Sequence, residues 1–484
     1  MITSDSISIG RTRLSLRAQI LLALGIGVYV VVGQVLMPVG IAIGVGLAIV
    51  AALLIQRRSM YLVTAFSVLI IVVKLQEREG PQPGVSILDL LTGGVIAAAL
   101  GYIVLQGLVN RRPLAHHWSM YFLFGYVAWA LVGGVMSIAM DNTTPNFAFR
   151  EFLLFSPLLV FPILFVPIAR STQRFERLVG ALLLFIWVLV QVAGVVRLRS
   201  TIAAATFLFE TGFSRYDIVN AGLMILLFVG VSALNRIPRY RTLYVLMILG
   251  SIGGLVLTFN RTAWVAVVIC IPLMLWMLPT RASRREGSRV LTRIVMIILT
   301  SAVAAYFMIP MAQLLIKYLF LRIASTSKVG TDLSLVNRYV EWRYVFQQIA
   351  SNPIMGLGFG GLFKIYNWLL GFSETVGYTH NGILIVIVKG GVVGAICFFT
   401  AFIGIFRIGW TARRSPYLNE QEQVLILVCL AGLVFISIVG MTVGLLLHRE
   451  ILLYVGIMWG YLLVINDRIE QRRRVAADRI ATKS

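Results

Sequence analysis

The stretch Gly377–Gly391, GYTHNGILIVIVKGG, decides how the fold of this chain is interpreted. Three polar residues, Thr379, His380 and Asn381, stand directly before an apolar run, and Lys389 lies inside that run. An apolar run of about 20 residues is long enough to cross a bilayer as a helix. The stretch therefore predicts a membrane helix that carries a histidine at its water boundary.

The composition extends this interpretation to the whole chain. Of its 484 residues, 59% are hydrophobic and only 13% are charged, whereas a soluble domain carries about 25% charged residues. We predict an all-α polytopic membrane protein with about 12–14 transmembrane helices and one large structured loop. The candidate spans are 18–37, 39–55, 59–75, 90–109, 119–139, 152–169, 178–196, 218–234, 242–259, 262–279, 294–310, 380–406, 424–447 and 450–465.

The charge distribution predicts how these spans are oriented. With a cytoplasmic N-terminus, most of the 42 lysine and arginine residues fall on the cytoplasmic side, as the positive-inside rule requires. Both termini are then cytoplasmic, and the chain divides into a membrane bundle at 1–310, an outer loop at 311–379, further spans at 380–465 and a basic tail at 466–484. The net charge of +23 reflects topology and attraction to anionic membrane lipids, so we predict no nucleic-acid partner.

Several classes of protein are disfavoured by what the sequence lacks. There is no phosphate-binding loop and no H-E-x-x-H motif, so ATP-driven and zinc-protease chemistry are not indicated. With four histidines, and three cysteines that all fall inside predicted spans, we predict no metal and no cofactor. Apart from Glu450, the first residue of the last span, the predicted spans contain no Asp or Glu, which argues against an ion-coupled transporter.

The outer loop is predicted to be ordered. Leu335–Ile349 has apolar residues at the spacing of one helical stripe, namely Leu335, Tyr339, Trp342, Phe346 and Ile349. Asn352-Pro353 and the following glycines end this helix, and the next segment, LFKIYNWLLGF, has the Trp and Tyr content of an interfacial segment.

Three arginines on the outer side are candidate binding residues. Arg261 stands in a short link between two spans, Arg338 lies on the loop helix, and Arg215 lies in the segment before span eight. Each also has a structural interpretation: Arg261 as an interfacial anchor, Arg338 as an ion-pair partner of Glu341 one turn on, and Arg215 as a partner of Asp217.

His380 is the strongest catalytic candidate. We expect the Thr379 hydroxyl to cap the following helix, which would put His380 in its first turn. The positive end of the helix dipole would keep the imidazole neutral and able to accept a proton from a hydroxyl. A histidine that only bonds a loop carbonyl is the alternative. Lys389, about half a helical turn round from His380, is predicted to be a structural partner for carbonyls or a polar neighbour.

In this order, these residues resemble the O-antigen ligase and O-antigen polymerase superfamily of bacterial membrane glycosyltransferases. The resemblance rests on three pieces: NRTAW (260–264), NRYVEWRYVFQQIASNPIMGLGFGG (337–361) and YTHNGILIVIVKGGVVGAICF (378–398). It implies a GT-C-like fold in the bacterial inner membrane and a metal-free active site at the periplasmic face. The donor would be a glycan on undecaprenyl diphosphate. His380, Arg338 and Arg261 would be catalytic, and Arg215 and Asn381 would join the two arginines in binding the diphosphate and glycan.

The resemblance leaves the acceptor open. A ligase transfers the glycan to a lipid A-core sugar, whereas a polymerase transfers it to a second lipid-linked glycan and can need a chain-length regulator. The short tail argues against the subclass that glycosylates proteins. From a different class, a transporter or flippase of lipid-linked oligosaccharide stays an alternative, although it should carry its cations within the spans. A membrane scaffold is the remaining possibility.

Overall fold

The computed structural model describes residues 117–171, 218–234, 241–257, 260–308, 333–367, 371–444 and 449–482, with isolated positions between 175 and 188 and between 313 and 320. The first four predicted spans, most of span 178–196, and Arg215 lie outside the described residues. Within them the protein is almost wholly helical, with one two-stranded sheet.

Ten helices are described. They are α1 (Trp118–Ala139), α2 (Pro145–Ser171), α3 (Ile218–Ala233), α4 (Arg241–Leu257), α5 (Arg261–Met277), α6 (Arg281–Met308), α7 (Leu333–Ser351), α8 (Gly382–Ala412), α9 (Glu420–Gly440) and α10 (Arg449–Ala481). The strands β1 (Phe363–Asn367) and β2 (Phe372–Val376) form an antiparallel hairpin between α7 and α8. Within the described ranges, five helices are long and apolar enough to cross a membrane, which agrees with the predicted polytopic all-α class.

The predicted spans that fall on described residues correspond to helices, but several bounds differ. Helix α6 begins at Arg281 rather than at 294, and α10 continues through the predicted tail to Ala481. Helix α2 begins at Pro145 rather than at 152, so Glu151, which directly precedes the predicted span, lies within the helix. Within the predicted interfacial segment, Phe363–Asn367 forms strand β1.

Contacts between the helices define two ends of the bundle. Helix α1 packs along α8 and α2 along α10. At one end, the Thr442 hydroxyl after α9 donates to the Thr262 hydroxyl of α5, at 2.9 Å. At the opposite end, Arg472 donates two hydrogen bonds, of 2.8 and 2.9 Å, to the buried carboxylate of Glu422 at the start of α9.

Helix α8 is broken at Gly391, where φ is 60° and ψ is −165°. The break leaves main-chain groups that a continuous helix would have paired with one another. The segment Pro353–Gly358 supplies their partners: the N–H groups of Leu357 and Gly358 donate to the carbonyls of Val388 and Lys389, and the N–H of Val392 donates to the Pro353 carbonyl, at 2.8–2.9 Å. The loop thus replaces one turn of hydrogen bonds inside the helix.

Glycines allow this loop to enter the bundle. Gly358 has φ of 70° and lies against Gly133 of α1, so a Cβ at Gly358 would overlap the Gly133 main chain. The next residue, Phe359, donates its N–H to the Ala130 carbonyl at 2.9 Å, and its side chain is buried. The main chains of α1 and of the loop therefore approach each other closely at Gly133 and Gly358. Only residues without a side chain permit this approach.

Candidate active site

Glu341 of α7 and His380 before α8 form a paired carboxylate and imidazole. One Glu341 oxygen accepts from the His380 main-chain N–H, and the other contacts the ring Nδ1, both at 2.7 Å. The Glu341 side chain is 2% exposed and the His380 side chain 32%. The carboxylate is therefore shielded, whereas the imidazole is open to a ligand.

The carboxylate determines which imidazole nitrogen can act as a base. A carboxylate bound to Nδ1 favours the tautomer in which Nδ1 carries the proton. The lone pair is then on Nε2, and a carboxylate also stabilises the imidazolium that forms when Nε2 takes a proton. This arrangement suits a general base.

The local sequence holds His380 between the hairpin and α8. The N-cap residue of α8 is Asn381, whose side-chain oxygen accepts from the main-chain N–H groups of Ile383 and Leu384 at 2.9 and 3.1 Å. The prediction that Thr379 caps this helix is therefore wrong, and His380 lies just outside its first turn.

Helix α7 presents Glu341 to the bundle. The predicted helix is confirmed: Glu341 and Val345 are buried, whereas Tyr339 and Phe346 of the apolar stripe are 59% and 55% exposed. In the structure they lie on the outer face, with Arg343 and Gln347, and the ion pair to His380 turns the charged face inward.

The electrostatics keep Glu341 ionised. Burial alone would raise the pKa of its carboxyl, but the hydrogen bonds and charge of His380 lower it further, and the net pKa is below its ordinary value. Thr379 is fully buried beside the pair; its hydroxyl also lowers the Glu341 pKa, although it does not reach hydrogen-bond geometry. The site therefore holds a carboxylate, not a carboxylic acid.

The structure relates the predicted arginines to this pair in different ways. Arg338 lies one turn before Glu341 on α7 and is partly buried. Arg261 is the first residue of α5, after Asn260, whose side chain caps the helix by accepting from the Ala263 N–H at 2.9 Å. Because Thr262 contacts Thr442, Arg261 lies at the end of the bundle where α8 begins. Arg215 is outside the described residues.

The sequence analysis did not predict the ion pair between Lys389 of α8 and Glu151 of α2. Lys389 is fully buried, and its Nζ donates to Glu151 of α2 at 2.7 Å and to the Gly361 carbonyl at 2.8 Å. The prediction that Lys389 binds carbonyls or a polar neighbour is confirmed. Its partner could have been sought from the sequence, since a lysine inside a span requires a nearby counter-charge. Among the described residues, no group of three or more metal-ligating side chains occurs.

Comparison with known proteins gives one family. Residues 245–399 match the family model described as O-antigen ligase. The match includes Arg261, Arg338, Glu341 and His380. It also includes residues 353–361, which we call the glycine loop. No curated protein gives a significant match to the chain.

Proposed function

Because the match at residues 245–399 supports membership of the O-antigen ligase and polymerase superfamily, we propose that this chain is a metal-independent membrane glycosyltransferase. The family implies a lipid-linked glycan as substrate in general. The proposed donor is a glycan on undecaprenyl diphosphate, and the proposed acceptor group is a sugar hydroxyl. The observation that carries the proposal is the hydrogen bond between the buried Glu341 carboxylate and the partly exposed His380 imidazole.

In the proposed reaction His380 is the general base. Its Nε2 takes the proton of the acceptor hydroxyl while that oxygen attacks the anomeric carbon of the donor. The bond from the anomeric carbon to the phosphate oxygen breaks, and the lipid diphosphate leaves with the electron pair. A single displacement inverts the anomeric carbon, so a product with retained configuration would contradict this form of the reaction.

The arginines stabilise the leaving group in this proposal. A departing diphosphate needs positive charge, and the planar guanidinium pairs with two phosphate oxygens at once and stays protonated. Arg338 shares α7 with Glu341, and Arg261 begins α5 at the same end of the bundle; their convergence with His380 on one ligand is part of the proposal. Arg215 is proposed as a further binding residue, and Asn381 would contact the glycan through its amide nitrogen, since its oxygen caps α8.

The location follows from topology. We propose that the protein lies in the bacterial inner membrane, with the end carrying His380 in the periplasm. The opposite end has basic residues on α6, on α10 and after α8, including the exposed Arg473 and Arg474. Positive charge collects on cytoplasmic ends. Whether the acceptor is a lipid A-core or a second lipid-linked glycan is decided by the experiment.

The test uses purified protein in liposomes with undecaprenyl-diphosphate-linked glycan, with and without a lipid A-core acceptor. His380→Ala is the catalytic control. A ladder of products formed without added acceptor identifies a polymerase, and a single shift that requires the core identifies a ligase. Equal products from both proteins would contradict the role of His380. Transfer of labelled lipid across the bilayer without any product would favour the flippase.

A further inference from the structure

The glycine loop and the hairpin meet a charged pair buried beneath them. Lys389 of α8 has no exposed surface, yet its Nζ has two partners, Glu151 of α2 and the Gly361 carbonyl. Glu151 has a second partner as well, because the same oxygen accepts from the Gly360 N–H. The negative charge of Glu151 thus binds the N–H of Gly360, and the positive charge of Lys389 binds the carbonyl of the next residue, Gly361.

This junction satisfies the main chain where the loop turns into strand β1. The Gly360 N–H donates to Glu151, the Gly360 carbonyl accepts from the Thr143 hydroxyl, and the Gly361 carbonyl accepts from Lys389. Buried main-chain groups without partners are costly. The charged pair therefore fixes the position of the strand's first residues as well as joining α2 to α8.

Lys389 also lies beside the other end of the hairpin. Gly377 directly follows strand β2, and a Cβ there would be 3.7 Å from the Lys389 Nζ. The hairpin closes with the pair Phe363 and Val376, so Gly361 and Gly377 are its two ends. His380 comes three residues after Gly377.

We propose that Glu151 and Lys389 are positioning residues for His380: they bind Gly360 and Gly361 before the hairpin, Lys389 lies beside Gly377 after it, and through the hairpin they hold the imidazole against Glu341. The inference rests on the proposed function, in which His380 is the base. An ion pair that served only to join two helices would need neither the Gly361 carbonyl nor the Gly360 N–H.

The first test observes His380 directly and requires no substrate. The chain has four histidines, so histidine-selective nitrogen-15 labelling gives few signals, and His380→Ala assigns one of them. In the wild type, this signal should show Nδ1–H bound to a carboxylate. Lys389→Met should weaken or broaden that signature while the protein stays monodisperse. The matched control is Lys364→Met, the same change at an exposed position of β1.

The second readout is kinetic. A displaced base lowers kcat, and a misplacement of about 1 Å can lower the rate about 100-fold. We expect Lys389→Met to lower kcat about 100-fold with KM within about twofold of the wild type, and Lys364→Met to change neither. A folded Lys389→Met with the wild-type His380 signal and kcat would overturn the proposal. If Lys389→Met is not monodisperse, Lys389→Met with Glu151→Gln, which leaves no unpaired charge, is measured in its place.

Exchanging the charges separates positioning from simple attraction. Glu151→Lys with Lys389→Glu keeps an ion pair between α2 and α8 but reverses the polarity facing Gly360 and Gly361. The proposal expects no recovery of the His380 signal or of kcat. Recovery of both would show that only the attraction between the helices matters. Failure of glycosyl transfer by the wild type would instead refute the proposed function, and the labelling experiment would still test the positioning.

Discussion

Glu341 binds His380 twice, through the main-chain N–H and through the ring, so one carboxylate fixes both the backbone and the tautomer of the candidate base. The two residues are 39 positions apart and come from different elements. The bond therefore joins the loop helix α7 to the start of the span α8.

Removing the charge of Glu341 should impair the reaction more than binding. Glu341→Gln keeps the size of the side chain, but its amide can donate to Nδ1 and favour the wrong tautomer. We expect kcat to fall by at least about 100-fold with little change in KM, measured by initial rates of glycan transfer in liposomes.

The matched control for this prediction is Glu470→Gln, the same change at an exposed position on α10, which should leave kcat unaltered. A Glu341→Gln variant with wild-type kcat would show that the carboxylate does not assist His380.

The ion pair should also give the fold a defined pH dependence. The pKa of Glu341 is lowered from its ordinary value of 4.5, so the folded chain binds this proton less readily than the unfolded chain. Its contribution to stability is then complete above the ordinary value and is lost as the pH falls through the lowered one.

Thermal unfolding in detergent of the wild type and Glu341→Gln from pH 7 to pH 3 measures this contribution. We expect the difference between the two to shrink as the pH falls below about 4.5. A difference that stayed constant or grew between about pH 4.5 and pH 3 would mean that Glu341 is not held as the carboxylate.

The arginine on the inner face of α7 should require its guanidinium. Arg338→Lys retains the charge but loses paired hydrogen bonds to phosphate, and we expect kcat/KM to fall about tenfold or more. Arg343→Lys is the control because Arg343 is exposed on the opposite face of the same helix. Equal effects of the two substitutions would argue that Arg338 acts on the surface and not in the site.

The close approach of the loop to α1 predicts a large difference between two glycines. Gly358 and Gly371 both have φ near 70°, but a Cβ would overlap Gly133 at the first and meet nothing within 4 Å at the second. We expect Gly358→Ala to destabilise the protein by about 3 kcal/mol or more, from strain and overpacking, and Gly371→Ala by about 1 kcal/mol. The melting temperatures of the two variants are compared by gel filtration of samples heated to a series of temperatures. Equal melting temperatures would contradict the packing described.

The orientation can be tested with single cysteines in a cysteine-free background. Thr375→Cys, at an exposed position of β2, should react with a membrane-impermeant maleimide added to intact spheroplasts. Ala477→Cys, exposed on the last turns of α10, should react only after permeabilisation. The reverse pattern would put the site in the cytoplasm and refute the proposed location.

The sequence was sufficient for the features that depend on local patterns. Apolar runs predicted the described spanning helices, and the helix that carries Arg338 was predicted as well. The cost of an unpaired charge inside a membrane also predicts that an isolated lysine in a span has a polar partner, as Lys389 does.

The features that were missed depend on contacts between distant segments. The orientation of α7 is set by Glu341 reaching His380, and no helical periodicity within 333–351 indicates that partner. Asn381 competes with Thr379 as a cap, and the choice depends on how β2 leads into the helix. The hairpin itself has aromatic residues typical of both strands and interfacial segments.

The break at Gly391 imposes an order on biosynthesis. Residues 353–358 leave the ribosome before α8 does, and the N–H of Val392 and the carbonyls of Val388 and Lys389 need that segment as their partner. When α8 moves from the translocon into lipid, it therefore carries three main-chain groups that its own turns leave unpaired. Completion of this span is therefore a tertiary event, because its hydrogen bonds are finished by a segment that is synthesised before it.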